Sequence, residues 1–306
     1  MKSLLSWCVL PLLWFGVLAQ ERARAPLAVA YREPADRFEI LDNVSAWWPG
    51  YTEDAYREHW LAAGRSTAED EALFTRYAEI RNRYFDKRGQ QSEDPRTSAS
   101  GLFTDRRALA ADPLAHAFYR ADTMDEAFER LTEVVDAGEL EFLRECFAHF
   151  AARLDPLVAE TRRLVAASLA RTRATVEQEP VRAYVEAIRA FFGVEDALEF
   201  TALYVWWPDA ERIQANPNGP FLLLRVRPNA GETIDSGDVV VHEAVHVISA
   251  LQPEAQKRAT SAAVLAACPD ALDGTARLEV LEEPLATVLG NMEFRRRFDP
   301  KRFAWG

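Results

Sequence analysis

The chain has 306 residues, 49% of them hydrophobic and 27% charged, an ordinary globular composition with enough apolar material for one large domain or two smaller ones. Its formal net charge of −12 disfavours a nucleic-acid partner, whose phosphates need cations, and equally a polybasic mode of membrane attachment.

The first nineteen residues have the three-part form of a secretory signal. Lys2 supplies the positive end, and an apolar run over 4–17 is interrupted only by Ser6, Pro11 and Gly16. Val17-Leu18-Ala19 then offers a cleavage site near Ala19. The run is short for a membrane span and polar residues follow at once, so no span is expected after cleavage. The mature protein is therefore expected to be secreted or periplasmic. Cys8 sits inside the run and not at its end, which does not fit a lipid-attachment cysteine. Cys146 and Cys268 remain; they form either one disulfide or two buried thiols, and two cysteines do not decide between these. The sequon Asn43-Val44-Ser45 matters only where the source glycosylates.

Residues 20–50 are spotted with proline and read as irregular, ending in the turn Trp47-Trp48-Pro49-Gly50. Helical periodicity then predicts amphipathic helices over 54–63 and 68–85, with Trp60, Leu61, Leu73, Tyr77, Ile80 and Tyr84 facing inward. The polar stretch 87–104 is expected to be a mobile loop. Helices are predicted over 113–135, over 139–174 with a break or kink at Pro156, and over 180–192, where Pro180 suits a first helical turn. After Gly193 the period changes. Residues 198–206 and 221–226 are rich in β-branched and aromatic residues and read as strands, paired as a hairpin or as neighbours. Asn216-Pro217-Asn218-Gly219 reads as a turn between them. Asp235-Ser236-Gly237-Asp238 supplies capping residues for a helix, and two more helices are expected over 253–267 and 283–294.

The helix after that cap carries His242-Glu243-Ala244-Val245-His246. Positions four apart lie on one helical face, so both imidazoles can address one cation while Glu243 faces the side of a bound water. Two neutral nitrogen ligands, an open position and a carboxylate to take a proton are what zinc-assisted hydrolysis requires. Val239, Val240 and Val241 before the motif, with Val247 and Ile248 after it, predict a buried helix. The bland alternative is a pair of ordinary core or surface histidines. Catalytic zinc usually takes three protein ligands. No histidine follows His246; the positions a metzincin extension needs hold Ser249 and Gln252, and the aspzincin carboxylate position after Gly274-Thr275 holds Leu278.

Glutamate is left, and Glu282-Glu283-Pro284-Leu285-Ala286 opens a later apolar-periodic helix. Over about residues 196–295 the chain resembles the gluzincin metallopeptidases, which carry H-E-x-x-H on one helix and a third ligand Glu on a later one, often in the form Glu-Gly-Leu-Ala. Glu283-Pro284-Leu285-Ala286 is similar to that form with Pro for Gly. The resemblance implies His242, His246 and Glu283 as ligands of Zn2+, with Glu282 or Glu279 as alternative third ligands, and Glu243 as general base. Several gluzincins place Asp four residues after the ligand Glu to orient a histidine; here that position is Thr287, which can accept an imidazole N–H but bears no charge. Tyr204, Arg225 and His149 are candidates for stabilising the transition state. Strand 221–226 is a candidate to bind an extended peptide by strand addition.

The expected fold is α+β and predominantly helical. A signal occupies 1–19, a helical N-terminal portion spans 20–195, and a zincin-like portion with a small sheet and the H-E-x-x-H helix spans 196–306. The helical portion is expected to wall the cleft. The expected function is a zinc metallopeptidase hydrolysing peptide bonds, with a peptide or protein as substrate. The alternatives are a catalytically inactive zincin-fold metal-binding or interaction protein of the cell envelope, and a helical envelope protein with a fortuitous motif. The adjacent pairs Trp47-Trp48 and Trp206-Trp207 invite a carbohydrate-stacking role, against the commoner role of aromatics as core anchors.

Overall fold

The computed structural model of the chain describes residues 27–49, 51–85, 112–253, 255–257, 259 and 282–303. The architecture is α+β and predominantly helical, with one four-stranded sheet. The strands are β1 (Leu27–Tyr31), β2 (Phe200–Val205), β3 (Gln214–Asn218) and β4 (Phe221–Arg225), in the spatial order β1-β2-β4-β3. β1, β2 and β4 run parallel, with Leu203 beside Leu223, and β3 lies antiparallel on the outside of β4.

Successive residues of a strand face opposite sides, and both sides of this sheet are covered. Leu203, Val205, Phe221 and Leu223 enter one core, built with helices α1 (Glu33–Ser45), α2 (Asp54–Ala62), α3 (Ala68–Tyr84), α4 (Pro113–Arg120), α5 (Met124–Leu131) and the first half of α6 (Ala137–Val176). Ala202, Tyr204, Leu222 and Leu224 enter a second core with the far end of α6, α7 (Glu179–Phe191) and α8 (Gly237–Ala250). The apolar run Phe221-Leu222-Leu223-Leu224 of β4 follows from this: an interior strand covered twice has no solvent-facing side. α6 reaches both cores, its Leu143, Phe150 and Leu157 in the first and its Val165 and Val176 in the second.

Several elements differ from the sequence reading. Residues 27–45, expected to be irregular, form β1 and α1. α1 buries Asp36, Glu39, Asp42 and Asn43 along with its apolar residues, so no amphipathic period marks it. Asp36 accepts from the Trp206 amide, Glu39 pairs with Arg225 at 2.9 Å and Asp42 with Arg81 at 2.6 Å, fastening α1 to the sheet and to α3. The predicted helix 113–135 is two helices, with Thr123 capping the second by accepting from the Glu126 amide. Pro156 does not break α6, which runs continuously for 40 residues. Residues 214–218 form β3 rather than a turn. Pro217 is tolerated there because β3 is an edge strand, and Gly219, at φ 57°, makes the turn into β4. The hairpin is thus β3–β4, while β2 and β4 are parallel neighbours. β4 is paired on both sides and has no edge to offer a peptide, which removes strand 221–226 as a site of strand addition.

Trp47, Trp206 and Trp207 are buried in the first core, and Trp47 and Trp48 pack with Tyr51 and Phe85, so these pairs anchor structure instead of presenting a sugar platform. Asn43 is also buried, its amide donating to the Glu39 carbonyl, which closes the sequon to modification in the folded protein. Cys146 is a buried free thiol whose pKa burial pushes up to about 12. The signal segment, the 87–104 loop, most of the predicted helix 253–267, Cys268 and Glu279 lie outside the described residues. Among the described residues no helix is long and apolar enough to cross a membrane.

Candidate metal centre

α8 is apolar on nearly every side, with Val240, Val241, Ala244, Val245, Val247 and Ile248 in the second core. Asp235, one residue before the N-cap Ser236, accepts from the Gly237 amide at 3.0 Å and from the Thr175 hydroxyl at 2.6 Å, which ties the start of α8 to α6. The remaining open side carries His242 and His246, one turn apart, with ring centroids 4.8 Å apart. Their Nε2 atoms stand 3.1 Å from each other.

The third group comes from the C-terminal segment. Residues 282–286 are helical, Thr287–Glu293 winds as a π-helix, and α9 (Phe294–Phe298) follows it. Glu283 reaches back to the histidine pair, Oε1 at 3.5 Å from His242 Nε2 and Oε2 at 3.3 Å from His246 Nε2. Tetrahedral bonds of about 2.1 Å set donor atoms about 3.4 Å apart, and each Nε2 stands at about that spacing from one oxygen of the Glu283 carboxylate. His242, His246 and Glu283 therefore form a group that can hold a metal ion, and the nitrogen and carboxylate donors suit a borderline divalent cation.

Each donor has an outer partner. His242 Nδ1 meets Asn291 Oδ1 at 2.8 Å, and His246 Nδ1 meets Glu282 Oε1 at 3.1 Å. Glu282 thus addresses the opposite nitrogen from the one nearest Glu283, which separates the two adjacent glutamates: Glu283 faces the common point and Glu282 stands behind a ring. The Thr287 hydroxyl donates to Glu283 Oε1 at 3.4 Å, so it supports the carboxylate and not an imidazole, contrary to the expectation from the sequence. Glu243 is buried, at 6% exposure, and its charge acts on His246.

Close approach of the two segments depends on Gly290. A Cβ there would stand 2.3 Å from His242 Cα and 2.5 Å from its backbone nitrogen, so only glycine allows this contact. Asn291 also donates to the Asp238 carbonyl at 3.4 Å, Arg295 pairs with the Asp238 carboxylate, and the Tyr184 hydroxyl donates to the Leu289 carbonyl at 2.7 Å. These ties join the π segment to α8 and α7.

The electrostatics favour a cation at the common point. Burial, reinforced by the charge of His246, holds the His242 pKa below its ordinary value. Burial also presses on His246, but Glu282 and Glu283 outweigh it and hold that ring up to about 10. The His246 ring in turn holds the Glu283 carboxyl below the ordinary carboxylate value.

The proposed stabilising residues are engaged elsewhere. The Tyr204 hydroxyl bonds Thr172 at 2.9 Å and Ser236 at 3.3 Å, Arg225 pairs with Glu39, and His149 meets Asp70 at 2.7 Å. Sequence reasoning did not find Asn291, Gly290 or the role of Glu282. A glycine inside an apolar helical pattern was the one available sign of close backbone approach. No protein-family model, curated protein or solved structure matches the chain.

Proposed function

We propose that the protein is a zinc-dependent peptidase of the gluzincin kind, with a zincin-like arrangement of sheet and H-E-x-x-H helix, exported by its N-terminal segment to the periplasm or the exterior. The observation that carries this reading is the convergence of His242, His246 and Glu283, whose ligand atoms lie within 4.8 Å of one another, with Glu243 buried on the same helix. His242, His246 and Glu283 would hold the ion, which when bound supplies Lewis acidity toward a carbonyl and toward water. Glu243 accepts the proton of the attacking water and delivers it to the departing amine nitrogen, so that water adds across the peptide bond. Glu283, with its side chain 57% exposed, leaves the site open on one side to a substrate. β3 packs against α8 and, among the described residues, has no strand beyond it, so its outer edge is available to align an extended peptide.

Metal analysis and peptide hydrolysis test this together. Purified protein is expected to carry one zinc per chain, and Glu243→Gln to keep that zinc while cleaving a peptide library at least about 100-fold more slowly. A metal-free wild type would remove the reading altogether. Bound zinc without any cleavage by the wild type would leave the inactive metal-binding protein in its place.

A further inference from the structure

The outer partners of the two histidines differ in chemistry, and both come from the segment that supplies Glu283. Asn291 has its amide direction set by Asp238: its Nδ2 faces a carbonyl, a pure acceptor, so its Oδ1 faces His242 and accepts a proton from Nδ1. Glu282, 6% exposed, offers an acceptor to His246 Nδ1. In both rings Nδ1 is thereby engaged by an outer partner, which leaves Nε2 as the nitrogen that faces the common point. Adjacent residues on a helix diverge by roughly 100°, which lets Glu282 and Glu283 straddle one ring, at 3.1 Å on Nδ1 and 3.3 Å on Nε2.

The π turn brings Asn291 onto the same line. Glu283, Thr287 and Asn291 recur every four residues, and on a regular α-helix each such step drifts by roughly 40°. The wider i→i+5 winding of Thr287–Glu293 offsets that drift, so Asn291 as well as Glu283 reaches α8.

We propose that Glu282 and Asn291 are positioning residues of the metal centre, acting through the rings, with the anionic Glu282 making His246 the stronger ligand and the neutral Asn291 fixing the orientation of His242. This rests on the metal-centre reading above. A carboxylate behind a ligand imidazole increases its donor strength, and loss of such a partner typically weakens metal binding by about 10- to 100-fold.

The test measures zinc affinity by chelator competition, the visible spectrum of the Co2+-substituted protein, and the melting temperature of metal-free protein. Glu282→Ala is expected to lose affinity about 100-fold, Glu282→Gln about 10-fold and Asn291→Leu about 10-fold. Asn291→Asp, which keeps the acceptor and adds charge, is expected to bind at least as tightly as wild type. The Co2+ bands should move in the Glu282 variants while metal-free melting stays in place. If Glu282→Ala does not fold, the isosteric Glu282→Gln and Asn291→Asp carry the same comparison. Wild-type affinity and spectrum in both Glu282 variants would overturn the proposal and leave the metal centre standing. Affinity lost only in step with metal-free stability would also overturn it, because a purely structural role does that. A wild type that takes up no zinc would overturn both.

Discussion

At the scale of single residues, neighbours in sequence are assigned different chemistry by which atom they reach. Glu282 and Glu283 are indistinguishable as residue types, yet one meets Nδ1 of His246 and the other meets Nε2. Asp36, on α1, shows the same dependence on surroundings. It is fully buried among neutral donors, the Trp206 amide and the Thr161 and Tyr31 hydroxyls, and burial raises its pKa from the ordinary 3.8 to about 7. The folded protein therefore holds this proton more tightly than the unfolded chain. The stability gained is complete below the unfolded value and is lost as pH rises through about 7. Asp36→Asn keeps an acceptor for the Trp206 amide and cannot ionise. It is expected to unfold at higher urea than wild type at pH 8 and to show a flatter dependence between pH 5 and pH 8. A variant whose midpoint tracks the wild type across that range would remove Asp36 as the source.

At the scale of elements, the C-terminal segment decides whether the motif helix becomes a site at all. The histidines of α8 supply two donors; the third donor and both outer partners arrive on residues 282–291, seated by Gly290 against the His242 backbone. Gly290→Ala places a carbon where backbone atoms already stand, and overpacking of this kind costs about 1–3 kcal/mol. The variant is expected to melt several degrees lower and to retain markedly less zinc, because displacement of this segment draws Glu283, Glu282 and Asn291 away together. Unchanged melting and zinc content in Gly290→Ala would mean that the segment docks in another way. α1 and β1 carry a different lesson. α1 buries its acids beside its apolar residues, and β1 is only five residues long, so neither period nor length announced them.

At the scale of the whole molecule, the sheet is shared property. β1, from the N-terminal portion, is hydrogen-bonded along β2, and the face formed by Leu203, Val205, Phe221 and Leu223 is covered by α1–α6. A fragment starting at residue 196 would expose that face and leave β2 unpaired on one side. It is expected to lack cooperative thermal unfolding and to bind zinc weakly, as read by circular dichroism and chelator competition. A fragment that melts cooperatively and binds like the full chain would make residues 196–306 an independent unit. The same architecture explains why β4, despite its strongly strand-like sequence, cannot receive a substrate strand: its place between β2 and β3 uses both of its edges.

The sequence by itself determined the long helices, the two central strands, and the motif helix with its pair of histidines. Each of these rests on local signals: a helical period, a β-branched run, two histidines one turn apart. Only the tertiary structure decided the parts that depend on what a segment is packed against. The edge strand β3 holds turn residues because its outer side needs no bonded N–H. The role of Glu282 follows from where a ring nitrogen lies, and Asn291 serves His242 because a π turn and a glycine bring it there. Local sequence carries period and propensity, whereas a hydrogen-bond partner is set by distances between segments remote along the chain.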